Sequence, residues 1–160
     1  MDKNVLDNAN ELINYNLNNY LYYRSMKSWT DRNGWKGFSN LLNKQSMYAL
    51  KDSEIIENYL RQLGYVVSFE KMDKIENGIE NLQDVIKAVV KTEKKLCNKY
   101  DEIVLKAREE KNYEIEIFFK NLLANQTKVV SYIEPLELRM KRIGKKSNGL
   151  FILNSSLAKL

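Results

Sequence analysis

The sequence predicts an all-α fold: a four-helix bundle with one long crossover between its second and third helices and a short fifth helix at the C-terminus. Three observations predict it. Apolar residues recur at helical spacing through four long segments. Six Gly and one Pro in 160 residues are too few for the many turns of a sandwich or barrel. The first and last links of the bundle are short and the middle one is long, which fits a connection running the length of a bundle. The length suits a single domain over 1–160, with the bundle at about 6–143 and the last helix at about 149–158.

The first helix carries Leu6, Ala9, Ile13, Tyr20, Tyr23 and Met26 on one face, with Asp7 as its expected N-cap and Asn33-Gly34 as its end. A second stripe follows through Phe38, Leu41/Leu42, Gln45, Tyr48/Ala49, Ile55/Ile56, Tyr59/Leu60 and Leu63, closed by Gly64. The segment GYVVSFEKMDKIENG, from Gly64 to Gly78, has no helical period and is long for a connection. It reads as a crossover or a functional loop. Asn77 with Glu80 resembles a capping box before the third helix, which shows Ile79, Leu82, Val85/Ile86, Val89, Leu96, Tyr100 and Ile103 and ends near Arg108. Lys111-Asn112 turns the chain into a fourth helix with Ile115, Phe118/Phe119, Leu122, Val129, Ile133, Leu136 and Met140, ending at Gly144. Pro135 removes one helical hydrogen bond and predicts a kink. The segment GLFILNSSLAKL completes the chain.

Composition narrows the chemistry. Apolar residues at 44% and charged residues at 29% exclude a disordered tail and a membrane protein. The net charge of +5 permits binding to polyanions, but a solvated basic surface is the favoured reading. Cys97 is the only cysteine, so neither a disulfide framework nor a thiolate zinc cluster is available. The start MDKNVLDNANEL lacks the apolar run of a signal peptide, and the expected location is cytoplasmic. The chain has no histidine, which removes the commonest general base and every imidazole-ligated metal site. Metal chemistry, if present, uses oxygen ligands.

Each apolar stripe has one polar interruption near its middle: Asn16, Asp52, Glu93 and Gln126. In an antiparallel bundle the four depths coincide, so the side chains converge. Tyr23, two turns from Asn16 on the same face, is placed to donate its hydroxyl to the group. Unpaired buried carboxylates are expensive, and mutual hydrogen bonding, a shared proton or a bound cation relieves the cost. For Asn16 and Gln126 alone, a satisfied polar layer that fixes helix register is the simpler reading. For Asp52 with Glu93, a site for a hard divalent cation stands beside it. Cys97, one turn after Glu93, reads as a small core residue. The tyrosines Tyr15, Tyr20, Tyr22 and Tyr23 read as core and subunit contact.

This arrangement resembles the ferritin superfamily, specifically the bacterial non-haem ferritins. The resemblance covers nearly the whole chain and is strongest in LINYNLNNYLYYRSMKSW, in WKGFSNLLNKQSMYALKDSEIIENYLRQLG and in GKKSNGLFILNSSLAKL, the last similar to that family's Gly-rich turn and fifth helix. The family builds a di-iron ferroxidase centre from a Glu on the first helix, Glu-x-x-His on the second, Glu on the third, and Gln with further Glu on the fourth. By motif position, the first Glu has become Asn16, the second-helix Glu Ala49, its His Asp52, and a fourth-helix Glu Val129, while Glu93 and Gln126 are retained. The bridging carboxylate is lost at Ala49, so the resemblance implies at most a weak ferroxidase.

What the resemblance implies is iron storage in a hollow cage of 24 subunits, with Fe, or another divalent cation, as the bound metal at Asp52, Glu93, Gln126 and Asn16. Leu50 stands where a haem-ligating Met occurs in bacterioferritins, so haem is not expected. Glu116 stands where related cages line a threefold channel with an acidic residue. As a plain reading, Glu114 and Glu116 complement the dipole of the fourth helix. Two alternatives stand beside iron storage: a structural subunit without iron oxidation, and a shell that associates with DNA. Nucleic acid is the weaker partner because no Lys-rich N-terminal arm is present, and a membrane partner is not expected.

Overall fold

The computed structural model describes residues 3–160; the first two residues of the expected domain lie outside the described residues. Four long helices and one short one form in chain order: α1 Val5–Arg32, α2 Lys36–Gln62, α3 Leu82–Glu109, α4 Tyr113–Ile143 and α5 Ser147–Ala158. At 1.5 Å per residue, each of the long helices spans about 40 Å. α5 begins two residues earlier than the sequence suggests. α4 runs unbroken through Pro135 to Ile143, so that residue does not end the helix. No helix among the described residues is long and apolar enough to cross a membrane.

Two of the expected caps are displaced. α1 is capped by Asn4, whose side chain accepts the Asp7 N–H at 2.9 Å. Asp7 instead lies in the first turn, where its charge complements the helix dipole, and accepts the Tyr65 hydroxyl at 2.8 Å. α3 is capped by Asn81, which accepts from Asp84 N at 2.8 Å, while the Asp84 carboxylate accepts from Glu80 N at 3.1 Å. The cap expected at Asn77 therefore forms four residues later, with Asp84 reaching back past the N-cap to the N–H of Glu80. Asn77 turns the chain just before it, accepting from Ile79 N at 3.0 Å.

The crossover between α2 and α3 is a strap laid along α1. Asn10 holds Ser68 from both sides: its Nδ2 donates to the Ser68 carbonyl at 3.1 Å, and its Oδ1 accepts the Ser68 N–H at 3.0 Å. One turn later Asn14 donates to the same carbonyl at 3.1 Å and accepts from Glu70 N at 2.9 Å. Two asparagine side chains thus satisfy extended backbone as a neighbouring strand would. Asn77 Nδ2 reaches Ser25 Oγ at 3.1 Å at the far end. From Asp7 to Ser25 the strap rises about 27 Å along α1, which forces α2 and α3 to run parallel and each to lie antiparallel to its hairpin partner.

Apolar residues gather in two clusters. One, at the α5 end, holds Tyr23, Met26, Phe38, Leu42, Val89, Ile133, Leu136 and Leu153. The other holds Ala9, Ile13, Ile56, Leu60, Leu96, Tyr100, Phe119 and Leu122. Asn16, Gln45, Glu93 and Gln126 are buried at the level between them.

α5 docks on the start of α2. Trp35, the N-cap of α2, supplies no side-chain hydrogen bond; Asn154 of α5 does so instead, its Oδ1 accepting from Gly37 N at 2.8 Å and Phe38 N at 3.3 Å. Trp35 stacks on Phe151 at a centroid distance of 5.3 Å. A Cβ at Gly37 would lie 1.8 Å from the Asn154 carbonyl oxygen. In a free helix Gly→Ala stabilises by about 1 kcal/mol; here Gly37→Ala is expected to destabilise by about 1–3 kcal/mol, as overpacking does. Hydrogen exchange over 147–158 should accelerate in the variant, and unchanged protection with raised stability would contradict this docking.

Candidate functional site

Each long helix contributes to the polar layer because each stripe presents a polar residue at the same height. Glu93 of α3 is its centre, with only 6% of its surface exposed. Its Oε1 accepts the Tyr23 hydroxyl at 2.6 Å and Gln45 Nε2 at 3.1 Å, and its Oε2 accepts Gln126 Nε2 at 2.5 Å. Gln126 Nε2 also reaches the Glu93 carbonyl at 3.0 Å. Helices α1, α2 and α4 each send a donor to one carboxylate. Burial pushes the Glu93 carboxyl above its ordinary value; the bonds from Tyr23, Gln126 and Gln45 pull it down, and the charge of Asp52 adds to the rise.

A second set of contacts lies beside the first. Asn16 of α1 is fully buried, and its Nδ2 donates to the Tyr100 hydroxyl at 3.1 Å, which donates to Asp52 Oδ2 at 2.8 Å. Asn16 Oδ1 is buried without a partner among the described residues. Burial raises the Asp52 carboxyl as well, against the bond from Tyr100 and the field of Lys51. Burial together with Asp52 holds the Tyr100 phenol well above its usual range.

Asp52, Gln45 and Gln126 form part of the floor of a groove of about 480 Å³ between α2 and α4, walled by Tyr48, Tyr132 and Lys128 among others. The groove gives Asp52 a route to solvent.

Of the residues singled out in the sequence, Asn16, Asp52, Glu93 and Gln126 meet in this layer, and Tyr23 donates to it. Glu116 does not. It is buried at the α3–α4 turn, where its Oε1 accepts from Arg108 Nε at 2.9 Å and from Lys120 at 3.0 Å. Lys120 and Arg108 hold its carboxyl below the usual range. Cys97 is half-buried, 3.9 Å from Thr127 Oγ1 and outside the layer. Two members were hidden in the apolar stripes: Gln45 and Tyr100. Tyr100 lies seven residues after Glu93, the spacing that separates Tyr23 from Asn16, so a phenol two turns from a polar interruption is the signal that finds it.

Chemically, the layer offers two carboxylates and amide oxygens to a hard cation. Among the described residues no three His, Cys, Asp or Glu side chains gather as a metal-holding group. A cation at Glu93 must displace hydrogen bonds already made there, with Gln126 turning its amide oxygen inward, which leaves weak binding as the chemistry this set supports.

A ferritin-like domain pattern matches residues 6–142. A non-heme ferritin-like protein of Haemophilus influenzae is 22% identical over 160 residues, covering 100% of this chain and 97% of that relative. A bacterial non-heme ferritin of Staphylococcus aureus is 22% identical over 157 residues, covering 98% and 95%. Among solved structures, an open-pore ferritin of Archaeoglobus fulgidus superposes with a TM-score of 0.92 at 21% identity, covering 99% of this chain and 96% of that one. A humanized archaeal ferritin gives 0.92 at 22% identity, covering 99% and 97%.

Two outcomes follow from this geometry. Tyr23→Phe leaves Glu93 Oε1 with Gln45 alone and is expected to lower stability by about 1–3 kcal/mol in urea unfolding; an unchanged midpoint would mean that the hydroxyl contributes nothing. Because the folded Glu116 carboxyl is depressed, its contribution is complete above the ordinary carboxylate value and is lost as pH falls through the depressed one. Glu116→Gln should therefore be less stable than the parent at pH 7, with the difference closing as pH falls below the ordinary carboxylate range. A difference independent of pH would assign the effect to packing.

Proposed function

The chain belongs to the ferritin-like family, and from that premise we propose that it is the subunit of a hollow ferritin-type cage that stores iron, with a weak or absent ferroxidase centre. The single observation behind the second half of this reading is the state of Glu93. Its carboxylate already receives three side-chain donors, and the one other carboxylate of the layer, Asp52, is engaged by Tyr100. Iron is the cargo here. Fe(II) would meet one carboxylate and an amide oxygen at Gln126, with Asp52 nearby, a set that suits a hard divalent ion but supplies too little negative charge to hold two ions tightly.

This chain's residues then act in three ways. Glu93 and Asp52 supply the charge that attracts the ion. Tyr23, Gln45 and Gln126 orient Glu93. The α2–α4 groove connects Asp52 to solvent and is the route by which the ion arrives. Oxidation proceeds slowly, because paired carboxylate bridging is missing where Ala49 and Val129 stand.

A shell that associates with DNA is the second reading. It rests on the exposed face of α3, where Lys87, Lys91, Lys94 and Lys95 follow one another. Only Lys94 of these forms an ion pair among the described residues, at 2.9 Å from Glu134. Retention of duplex DNA near 150 mM salt, falling steeply as salt rises, would favour it.

Asp52→Asn/Glu93→Gln removes both charges at nearly constant volume. Crystals of the parent soaked anaerobically in Fe(II) should show iron by anomalous scattering beside Glu93, and the double variant should show none there. Equal occupancy in both would place iron binding elsewhere. Retention of added iron by the assembled shell on size-exclusion chromatography is the companion measurement, and iron eluting free of protein would overturn storage.

A further inference from the structure

The two halves of the polar layer are closed by different groups. At Glu93 the donors are one phenol and two amides, and an amide can turn its oxygen toward a cation. At Asp52 the closing group is Tyr100 alone. Its ring is fully buried, packed against Phe119 at a centroid distance of 6.3 Å, within the cluster that fills one end of the bundle. Turning it away would require those neighbours to repack.

The position of its hydroxyl decides what else fits. The oxygen lies 2.8 Å from Asp52 Oδ2 and 3.1 Å from Asn16 Nδ2, so side chains from α1, α2 and α3 meet at one atom. A hard divalent cation shared by Asp52 and Asn16 would sit about 2.0–2.6 Å from each. That position is within contact distance of the phenol oxygen already there. A second observation concerns the same asparagine. Asn16 Oδ1, on a side chain with no exposed surface, has no donor among the described residues. A buried amide oxygen without a partner is costly, and it is the acceptor a cation or an ordered water would use once the Asn16 amide turns that oxygen toward Asp52.

We propose that Tyr100 sets the metal capacity of the layer: its phenol fills the position that Asn16 and Asp52 would otherwise offer to a divalent cation, leaving at most one ion per chain, on the Glu93 side. The proposal rests on reading the layer as a cation site. It goes further in assigning the loss of a second ion to a residue that is present as well as to ligands that are missing. Removing the ring leaves Asp52, the free Asn16 oxygen and a space that solvent can enter from the groove.

Cobalt(II) tests this without iron oxidation. The intact assembly and its Tyr100→Ala and Tyr100→Leu variants are titrated with Co(II), and the ions are located by anomalous diffraction at the cobalt edge. The parent is expected to hold no cobalt between Asn16 and Asp52 and at most one ion per chain in the layer. At least one variant is expected to gain one ion per chain at that position. If Tyr100→Ala does not fold, Tyr100→Leu and the parent decide the question. Cobalt bound in the parent between Asn16 and Asp52, with Tyr100 displaced or ligating, would overturn the proposal; so would folded variants that gain no ion there. A parent with no cobalt at Glu93 and a variant that gains one at Asp52 would support the role of Tyr100 while removing the cation reading of Glu93.

Discussion

Glu93 carries a carboxylate into the middle of a helical core, and among the described residues its side-chain partners are a phenol and two amides, with no Lys or Arg paired to it. A charge so placed is tolerated only if donors surround it. Tyr23, Gln45 and Gln126 are those donors, one from each of the other three helices. The requirement is geometric as much as energetic. A shift of any helix by one turn, about 5.4 Å, would take its donor out of reach. The hydrogen bonds to Glu93 therefore fix the relative heights of all four helices, and the two apolar clusters pack above and below a level they define.

The remaining architecture serves that register. The strap from α2 to α3 must travel the full length of α1, and Asn10 and Asn14 hold it down by taking up its backbone groups at Ser68 and Glu70. α5 returns to the start of α2 and supplies, through Asn154, the cap that Trp35 does not. Close approach at Gly37 allows this, since a side chain there would collide with the Asn154 carbonyl. Local, inexpensive contacts at both ends thus support a costly layer at the centre. Under the proposed function, binding and stability compete at this layer: the donors that stabilise Glu93 are the groups an incoming ion would have to displace.

Much of this was legible in the sequence because helical period is a strong signal. The four stripes, the short and long links and the fifth helix all appear as expected, and polar residues at apolar spacing pointed to Asn16, Asp52, Glu93 and Gln126. What escaped has physical reasons. Tyr100 and Gln45 sit on stripes where an amphipathic ring or an amide counts as core until its polar tip finds a partner. The partners of Asn10 and Asn14 lie more than fifty residues away, so nothing local distinguishes them from solvated asparagines. The displaced caps at Asn4 and Asn81 reflect several Asn and Asp residues of similar capping strength within a few positions. Glu116 read first as a dipole-complementing charge and second as a channel residue; it lies in the first turn of α4, paired with Arg108 and Lys120.

The proposed reading is a ferritin-like subunit whose polar layer leaves a cation at most the Glu93 side, the Asp52 side being closed by Tyr100. The most direct measurement is the rate of ferric absorbance when oxygen is added to the anaerobically Fe(II)-loaded assembly, compared with the same buffer without protein. The account predicts ferric iron that forms slowly, near the protein-free rate, and stays with the protein. Rapid formation, with a fast phase of two iron ions per subunit, would contradict it, because that stoichiometry requires a paired site that Asn16, Ala49 and Tyr100 leave no means to build.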